Sequence, residues 1–399
     1  MIFAGDYAAR HWGVRLELPK GVVLANLEGP ILALGHGLAK APTAPLAIWS
    51  ERLPERAEGM AWALANNHTM DYGAEGLRRT LAALGAAGMA GCGAGMSLEE
   101  ARRPMVVQDG AVRVAVLSVC EAQYGLAERR RCGVAELGPW MYEEIAKLKR
   151  RGDKVVVSVH QAVEMSAWPS PRVQELYRSW IEAGATVVHG HHAHVPQGVE
   201  AYRGGVIMYG LGNFLVDPKA LAGFGPNGLW SLAVEVEWAE PVRFKAHTLE
   251  LQEEGEKLVA RVANRTKYAG YREACDRPLK EPDLLEALWH ETATRAWDQL
   301  YAEPLRGPRP GRGLDGKARA RALRAGLREL MRGLLGREVL EKRAHAKALL
   351  WQHFFGCQSH AEAITTAMGV LGGELTDRRT AESQRMAEEF TCLKEFSQL

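Results

Sequence analysis

The sequence predicts a layered α/β domain followed by an all-helical extension, and three observations carry that expectation. Short β-branched runs alternate with amphipathic helical stretches through roughly the first 250 residues, the pattern of strands and helices packed in layers. Most of those runs end in Asp, Asn, Glu or His, and open α/β sheets collect ligands at the carboxyl ends of their strands. Beyond about residue 280 the strand signal stops. The expected division is a domain over residues 1–251, a connector over 252–280 and a helical extension over 281–399.

The first strand covers apolar residues 2–4 and is expected to stop at Gly5-Asp6. Val22-Val-Leu-Ala-Asn-Leu-Glu28-Gly-Pro30 repeats the arrangement, with Asn26 and Glu28 on one side before a Gly-Pro turn. Met60-Ala-Trp-Ala-Leu-Ala-Asn66-Asn67-His68 is the third instance, with Asp71 and Gly73 just beyond. A helix follows, because Leu77, Leu81 and Leu84 recur at helical spacing. The run Gly91-Cys-Gly-Ala-Gly95 could cradle a phosphate, but it is neither a Walker A nor a dinucleotide fingerprint and reads better as a turn.

Strands are expected at 112–119 and 154–159, the second ending at His160 with Glu164 close behind, and a short basic helix lies between them at 141–151. The segment 172–183 offers Val173, Leu176, Trp180 and Ile181 as one apolar helical face and leads into a strand over 185–188. A strand over 206–209 precedes Gly210-Leu-Gly-Asn213, and alternating strands at 232–238 and 243–251 close the region.

In the extension, Pro282 and Asp283 open a helix bearing Leu285, Leu288, Trp289 and Leu300. Residues 304–316 read as a Pro/Gly-rich loop. The stretch 317–335 carries a stripe of Leu323, Leu327, Leu330 and Leu334 beside one of Arg321, Arg324, Arg328 and Arg332, which is either a solvated face or a surface for an acidic partner. A capping box at Ser359-His-Ala-Glu362 is expected to start a later helix, and residues 377–397 form the last. Leucine stripes of this kind must be covered, by the core or by a second copy in a homo-oligomer.

Composition narrows the function classes. A chain of 399 residues with 47% hydrophobic and 25% charged content is globular rather than disordered. A formal net charge of +2 gives no support for nucleic-acid binding. Six cysteines at 92, 120, 132, 275, 357 and 392 form no C-x-x-C pair, so reduced thiols are expected. Met1 is followed by Ile-Phe-Ala-Gly-Asp with no signal-peptide pattern, and no apolar run reaches the ~20 residues that span a bilayer. A cytoplasmic protein without a membrane span is the expectation.

The strongest chemical signal is His189-Gly-His-His-Ala-His194, directly after Ala185-Thr-Val-Val188. Neutral imidazole is a strong ligand for zinc, iron and manganese. Gly190 is expected to let the chain turn sharply, and in an extended turn residues two apart point the same way, which pairs His192 with His194. The plain alternative is a polar loop whose histidines face water.

Taken together, Gly5-Asp6, Asn26-Leu-Glu28-Gly-Pro30, Ala65-Asn-Asn-His68 with Asp71-Tyr-Gly73, Gly93-Ala-Gly95, His160 with Glu164, Gly190-His-His-Ala-His194-Val-Pro-Gln197 and Tyr209-Gly-Leu-Gly-Asn213-Phe resemble the CapA family of poly-γ-glutamate capsule synthesis, related in fold to calcineurin-like metallophosphoesterases. The resemblance spans residues 1 to about 250 and implies a β-sandwich flanked by helices. It implies that Asp6, Glu28, Asn67, His160, His192 and His194 surround one or two divalent ions, with Mn, Fe or Zn expected. His68, with Asp71 to orient it, looks like the non-ligand histidine beside the leaving group, and Asn26, Asn66, Glu164, His191 and Asn213 would contact substrate.

Three departures bear on the chemistry. Ala8 stands where calcineurin-like enzymes usually have a histidine ligand, which favours a single strongly held ion; Gln161-Ala162 replaces Trp-Gly; and Ala193 replaces proline. The reading that follows is a metal-dependent hydrolase of phosphoester bonds using metal-activated water. The alternative is a non-hydrolytic accessory or scaffold factor for poly-γ-glutamate or another anionic polymer, and a third is an interaction protein working through its helical tail.

Overall fold

Which way each side chain points along the apolar strands decides the architecture, since alternate residues in a strand face opposite sides. The structure, a computed structural model, describes residues 1–8, 13–32, 59–123, 125–216, 226–254, 257–263, 266, 268–302, 351 and 354–391. In β1 (Ile2–Ala8), Phe3 enters one core while Ile2 and Ala4 enter another. After β2 (Gly13–Glu17), strand β3 (Val23–Leu27) repeats this, with Leu24 on Phe3's side and Val23 and Ala25 opposite. Next come β4 (Met60–Ala63), α1 (Gly73–Ala86), β5 (Ala90–Cys92), β6 (Ala94–Gly95), α2 (Leu98–Ala101) and β7 (Met105–Asp109). On the far face of β1 and β3, α1 buries Leu77 and Leu84.

A second sheet begins with β7 and β8 (Val112–Cys120). In β8, Val114 and Val116 join Phe3 and Leu24, while Ala115, Leu117 and Val119 face outward. After β9 (Gly133–Val134), the outward residues are covered by α3 (Trp140–Arg150) and α4 (Pro171–Ala183), on either side in sequence of β10 (Lys154–His160). The inner cluster therefore takes residues from both sheets and each outer cluster takes one sheet and its helices, so the layers run helix, sheet, sheet, helix. This is the expected α/β sandwich flanked by helices.

The remaining strands are β11 (Val187–His191), β12 (Val199–Tyr202), β13 (Gly205–Met208), β14 (Asn213–Val216), β15 (Trp230–Glu237), β16 (Arg243–Glu254) and β17 (Lys257–Val262). The first sheet has nine strands in the order β2-β17-β16-β15-β1-β3-β4-β5, with β14 also on β1; the second has six, in the order β12-β13-β11-β10-β8-β7. β1, β3, β4 and β14 pair in parallel, as do β8, β10, β11 and β13. Their carboxyl ends accordingly gather along one rim.

The expected connector over 252–280 contains the end of β16, all of β17 and α5 (Ala269–Asp276). It is tied to the sandwich, because Asp276 Oδ1 accepts from Val199 N at 2.9 Å and Leu279 O accepts from Gln174 Nε2 at 2.9 Å. Helix α6 (Pro282–Ala296) contributes Leu284, Leu285 and Leu288 to the cluster shared by both sheets. Helix α7 (Gln358–Gly372) packs Ala363, Ile364 and Ala367 against Trp289 and Ala293 of α6 and against Val163. Helix α8 (Ala381–Phe390) starts from a capping box of Thr380 and Ser383.

The box expected at Ser359-Glu362 does not form. Cys357 is the N-cap and Ser359 lies inside the first turn, where its hydroxyl has a different partner described below. The paired leucine and arginine stripes of 317–335, the loop 304–316 and Cys392 lie outside the described residues. The other five cysteines are free thiols. Among the described residues no helix is long and apolar enough to cross a membrane.

Candidate metal centre

Strand register brings the polar side chains together. Parallel pairing sets Asp6 of β1 beside Asn26 of β3 and beside Asn213 of β14. In the second sheet it sets His160 of β10 beside His191 of β11 and beside Cys120 of β8, with Glu121 one residue on. β1 does not stop at Asp6 as expected. It continues to Ala8 with its register shifted on both sides: against β3 the extra residue lies in β1 between Phe3 and Asp6, and against β14 it is Phe214 of β14, irregularities that leave the strand paired.

The histidine segment also differs in detail from its expectation. Gly190 makes no turn; it lies within β11, and a Cβ there would stand 2.1 Å from Tyr209 O, so close backbone approach is what requires glycine. His192 and His194 converge, but through left-handed backbone at φ 86° and 57° rather than through an extended turn. Gly93 and Gly95 serve packing, since Cβ atoms there would each meet a side chain at 2.4 Å, Ser118 and Glu100 respectively.

Around this rim Glu28, His192 and His194 offer one donor atom each, all within 4.8 Å of one another and all buried. His194 Nε2 stands 3.6 Å from Glu28 Oε1, His194 Nδ1 stands 3.6 Å from Asp6 Oδ2, and His160 Nε2 stands 3.6 Å from Glu28 Oε1. These separations are too long for hydrogen bonds. The two separations to Glu28 Oε1 match the spacing of donors on one ion, because ligands bound at about 2.0–2.2 Å lie roughly 3–4 Å apart; an imidazole gives an ion one nitrogen, so His194 Nδ1, which faces Asp6 and Asn213, orients the ring instead. Glu28 Oε1 and His192 Nδ1 have no hydrogen-bond partner among the described residues. Buried polar atoms seldom go unsatisfied, so this donor set fits a divalent cation.

Electrostatics agrees with the geometry. Burial, and then the negative charge of Asp6, push the Glu28 carboxyl well above the usual range. Burial would raise Asp6 as well, but His191, His194 and Asn26 hold it below its ordinary value. Burial and neighbouring imidazoles push His160 and His192 well down, leaving them neutral, the form that binds metal. Burial raises Glu121 and Glu164 to about 7.

Beside the cluster, His68 Nδ1 lies 2.8 Å from Asp71 Oδ2. Burial alone would lower His68, but the hydrogen bond and charge of Asp71 raise it above the ordinary imidazole value. Asn67 turns the other way, its Oδ1 2.9 Å from His160 Nε2.

The residues expected at substrate are held mostly by protein. Asn26 Nδ2 donates to Asp6 Oδ1 at 2.8 Å, and Asn66 Nδ2 donates to Asn26 Oδ1 at 3.1 Å and to Leu27 O at 2.7 Å. Asn66 Oδ1 accepts from the backbone N–H groups of His68 and Thr69, which shapes the turn carrying His68. Asn213 Nδ2 donates to His194 O at 3.1 Å, and its Oδ1 lies 3.0 Å from His194 Nδ1. His191 sits between Asp6 Oδ1 at 3.2 Å and Ser158 Oγ at 3.1 Å. Glu164 is looser, 3.9 Å from His192 Nδ1 and 4.0 Å from His194 Nε2.

Sequence reasoning missed Glu121, Ser158 and Ser359. Glu121 repeats the signal used elsewhere, a carboxylate just past an apolar strand. Ser158 gave none, being one polar residue inside a valine run.

Comparison with known proteins bears out the family resemblance. The profile described as "Bacterial capsule synthesis protein PGA_cap" matches residues 15–218. The capsule biosynthesis protein CapA of Bacillus anthracis is 36% identical over 161 residues, covering 39% of each chain. The PGA biosynthesis protein CapA of Bacillus subtilis is 36% identical over 157 residues, 38% of this chain and 41% of that one. A Mycobacterium tuberculosis protein named as a probable polyglutamine synthesis accessory protein is 32% identical over 236 residues, 53% of this chain and 61% of that one. The chain thus spans about 40–60% of the length of the curated relatives it matches. Among solved structures, a 5'-nucleotidase precursor from Thermus thermophilus aligns at TM-score 0.31 and 16% identity, over 56% of this chain and 43% of that one, a likeness too slight to carry argument. With the profile matching half of the sequence, the chain belongs to the bacterial capsule synthesis protein family.

Proposed function

We propose that this chain is a metal-dependent hydrolase acting on phosphoester bonds. The observation that carries the reading is the buried Glu28 Oε1, which has no hydrogen-bond partner among the described residues and faces His160 and His194 at 3.6 Å. Glu28, His192 and His194 would hold a divalent ion, Mn, Fe or Zn, with Asp6, His160 and Asn67 completing its surroundings. Such an ion supplies an acidified water and charge neutralisation on phosphoryl oxygens.

His68 is assigned the proton. Its Nδ1 is engaged by Asp71, which sets the ring orientation, keeps the imidazolium favourable and leaves Nε2 to protonate a departing oxygen. Asn26, Asn66 and Asn213 are assigned to bracing the ligands rather than to substrate, because their amides bond protein atoms. His191 is assigned to bracing on the same ground, lying between Asp6 and Ser158, and Glu164 remains the candidate for facing substrate.

A second reading is favoured by the relatives, which are named for capsule or PGA biosynthesis and as a synthesis accessory protein. In that reading the same centre binds carboxylates of an anionic polymer such as poly-γ-glutamate without turnover. Metal analysis of purified protein, then a screen of phosphomonoesters, phosphodiesters and γ-glutamyl peptides with the metal varied, separates the two. Metal-dependent release of phosphate supports the hydrolase; saturable binding of γ-glutamyl peptides with no product supports the accessory factor.

A further inference from the structure

We propose that the helical extension is part of the metal centre, with Ser359 positioning Glu121 and Glu121 in turn orienting His192. The proposal rests on the metal reading above and adds to it a residue outside the matched stretch 15–218. Glu121 is fully buried at the end of β8. Its Oε2 accepts two hydrogen bonds from one residue of the extension, Ser359 N at 2.8 Å and Ser359 Oγ at 2.8 Å. Its Oε1 has no hydrogen-bond partner among the described residues and lies 3.8 Å from His192 Nε2.

The two oxygens have separate tasks. A neutral imidazole has one N–H and one lone pair. With Nε2–H directed at Glu121, the Nδ1 lone pair of His192 is left for a cation, and Nδ1 is the atom without a partner among the described residues. Ligating histidines regularly give their second nitrogen to a carboxylate in this way, which fixes the tautomer and raises ligand basicity. At 3.8 Å the contact is longer than a hydrogen bond, within reach of a small rotation of the ring, which already packs on His160 at a centroid distance of 4.4 Å.

A carboxylate with both oxygens free would be able to swing toward the cation itself. The two donors of Ser359 prevent that by holding Oε2. The seating of α7 supplies them: Ile364 and Ala367 share a buried cluster with Val163, in the loop after His160, and Tyr301 OH bonds His360 Nδ1 in the same first turn. The first turn of a helix also presents free backbone N–H groups that favour an anion.

The test is metal titration of the full-length chain, stripped with chelator, by isothermal calorimetry with Mn²⁺ and with Zn²⁺, alongside thermal melts in chelator. Glu121→Gln is expected to weaken affinity by about 10–100-fold, the usual range for removal of such an outer partner. Ser359→Ala, which keeps its backbone N–H, should lose a smaller share, and Ser359→Thr should restore wild-type affinity. Thr365→Ala, an exposed change on the same helix, should do nothing to affinity. All variants should melt within a degree or two of wild type in chelator, so that the loss tracks the metal and not the fold. Wild-type affinity in both Glu121→Gln and Ser359→Ala overturns the proposal and leaves the metal reading standing; no binding by wild type removes both. If Glu121→Gln does not fold, equal affinities for Ser359→Ala and Ser359→Thr overturn it.

Discussion

Replacing Glu28 with glutamine is expected to stabilise the metal-stripped protein while abolishing its response to metal. Glu28 is 2% exposed, its Oε1 has no hydrogen-bond partner among the described residues, and Asp6 adds a second negative charge. Leaving a buried acceptor unsatisfied costs about 1–3 kcal/mol, more for a charged one; Gln keeps a neutral acceptor there and removes only the excess borne by the charge, of the same order, about 1–3 kcal/mol. At about 2.1 cal/mol/K per residue the unfolding entropy of 399 residues is near 0.8 kcal/mol/K, so that gain is worth about 1–4 °C in Tm. An ion present at 100 times its Kd adds about 2.7 kcal/mol to wild type, or about 3 °C, and nothing to the variant.

The pH dependence has a definite sign. Glu28 has a folded-state pKa above its unfolded one, so its favourable contribution is complete below the unfolded pKa and is lost as pH rises through the folded value. The advantage of Glu28→Gln in chelator should therefore be largest in alkaline buffer and shrink toward acid. Scanning calorimetry with chelator and with Mn²⁺, each at two pH values, reads all four numbers. A stripped wild type that melts above the variant at alkaline pH, or a variant that gains the same shift with metal, would refute the placement of Glu28.

Changing His192 and His194 together to Ala should leave purified protein with little metal by elemental analysis; unchanged stoichiometry would make the cluster a polar loop. His68→Ala should cost about 10²–10⁴-fold in kcat on any substrate found with metal content nearly unchanged, while the melting temperature falls because Asp71 is left buried without its partner; loss of metal in that variant would make His68 a ligand. Because Asp71 raises His68, Asp71→Asn should carry the alkaline limb of the pH–rate profile to lower pH; a limb that stays put would remove His68 from the proton transfer. Leu288 is fully buried in the cluster shared by both sheets, so Leu288→Ala should cost about 2–5 kcal/mol in denaturant unfolding, and a loss under about 0.5 kcal/mol would mean that α6 is not seated on the core.

The strands and their polar ends were legible because a buried parallel strand must be a continuous apolar run, and any charged residue ending it stands out. Glu28, His160 and the His192–His194 pair follow that rule, whereas Asp6 stood out as the first charge after an apolar run although β1 continues past it to Ala8. What did not show was geometry without a compositional mark. The register shifts on either side of Asp6 carry no compositional mark, and Gly190 looks like a turn glycine although it serves close packing. Ser359 is the instructive failure. Ser-x-x-Glu is the same string whether the serine caps its own helix or donates to a carboxylate 238 positions away, and only the packing of α7 decides between them.

Backbone strain marks the same centre, and no sequence pattern reveals it. Among the described residues four non-glycine residues have positive φ, and three of them, Met165, His192 and His194, lie at this centre. Each costs about 1–3 kcal/mol unless its surroundings enforce it. Enforcement is visible here: Met165 N donates to Ala193 O at 2.8 Å, and Ala193, Val195 and Met165 share a buried cluster with Ala8, Ala162 and Val216. Glycine at 192 or 194 would relieve the backbone at once but bring no imidazole. The left-handed turn therefore makes physical sense as the means of aiming two rings at Glu28, a strained arrangement held in place by the apolar packing around it.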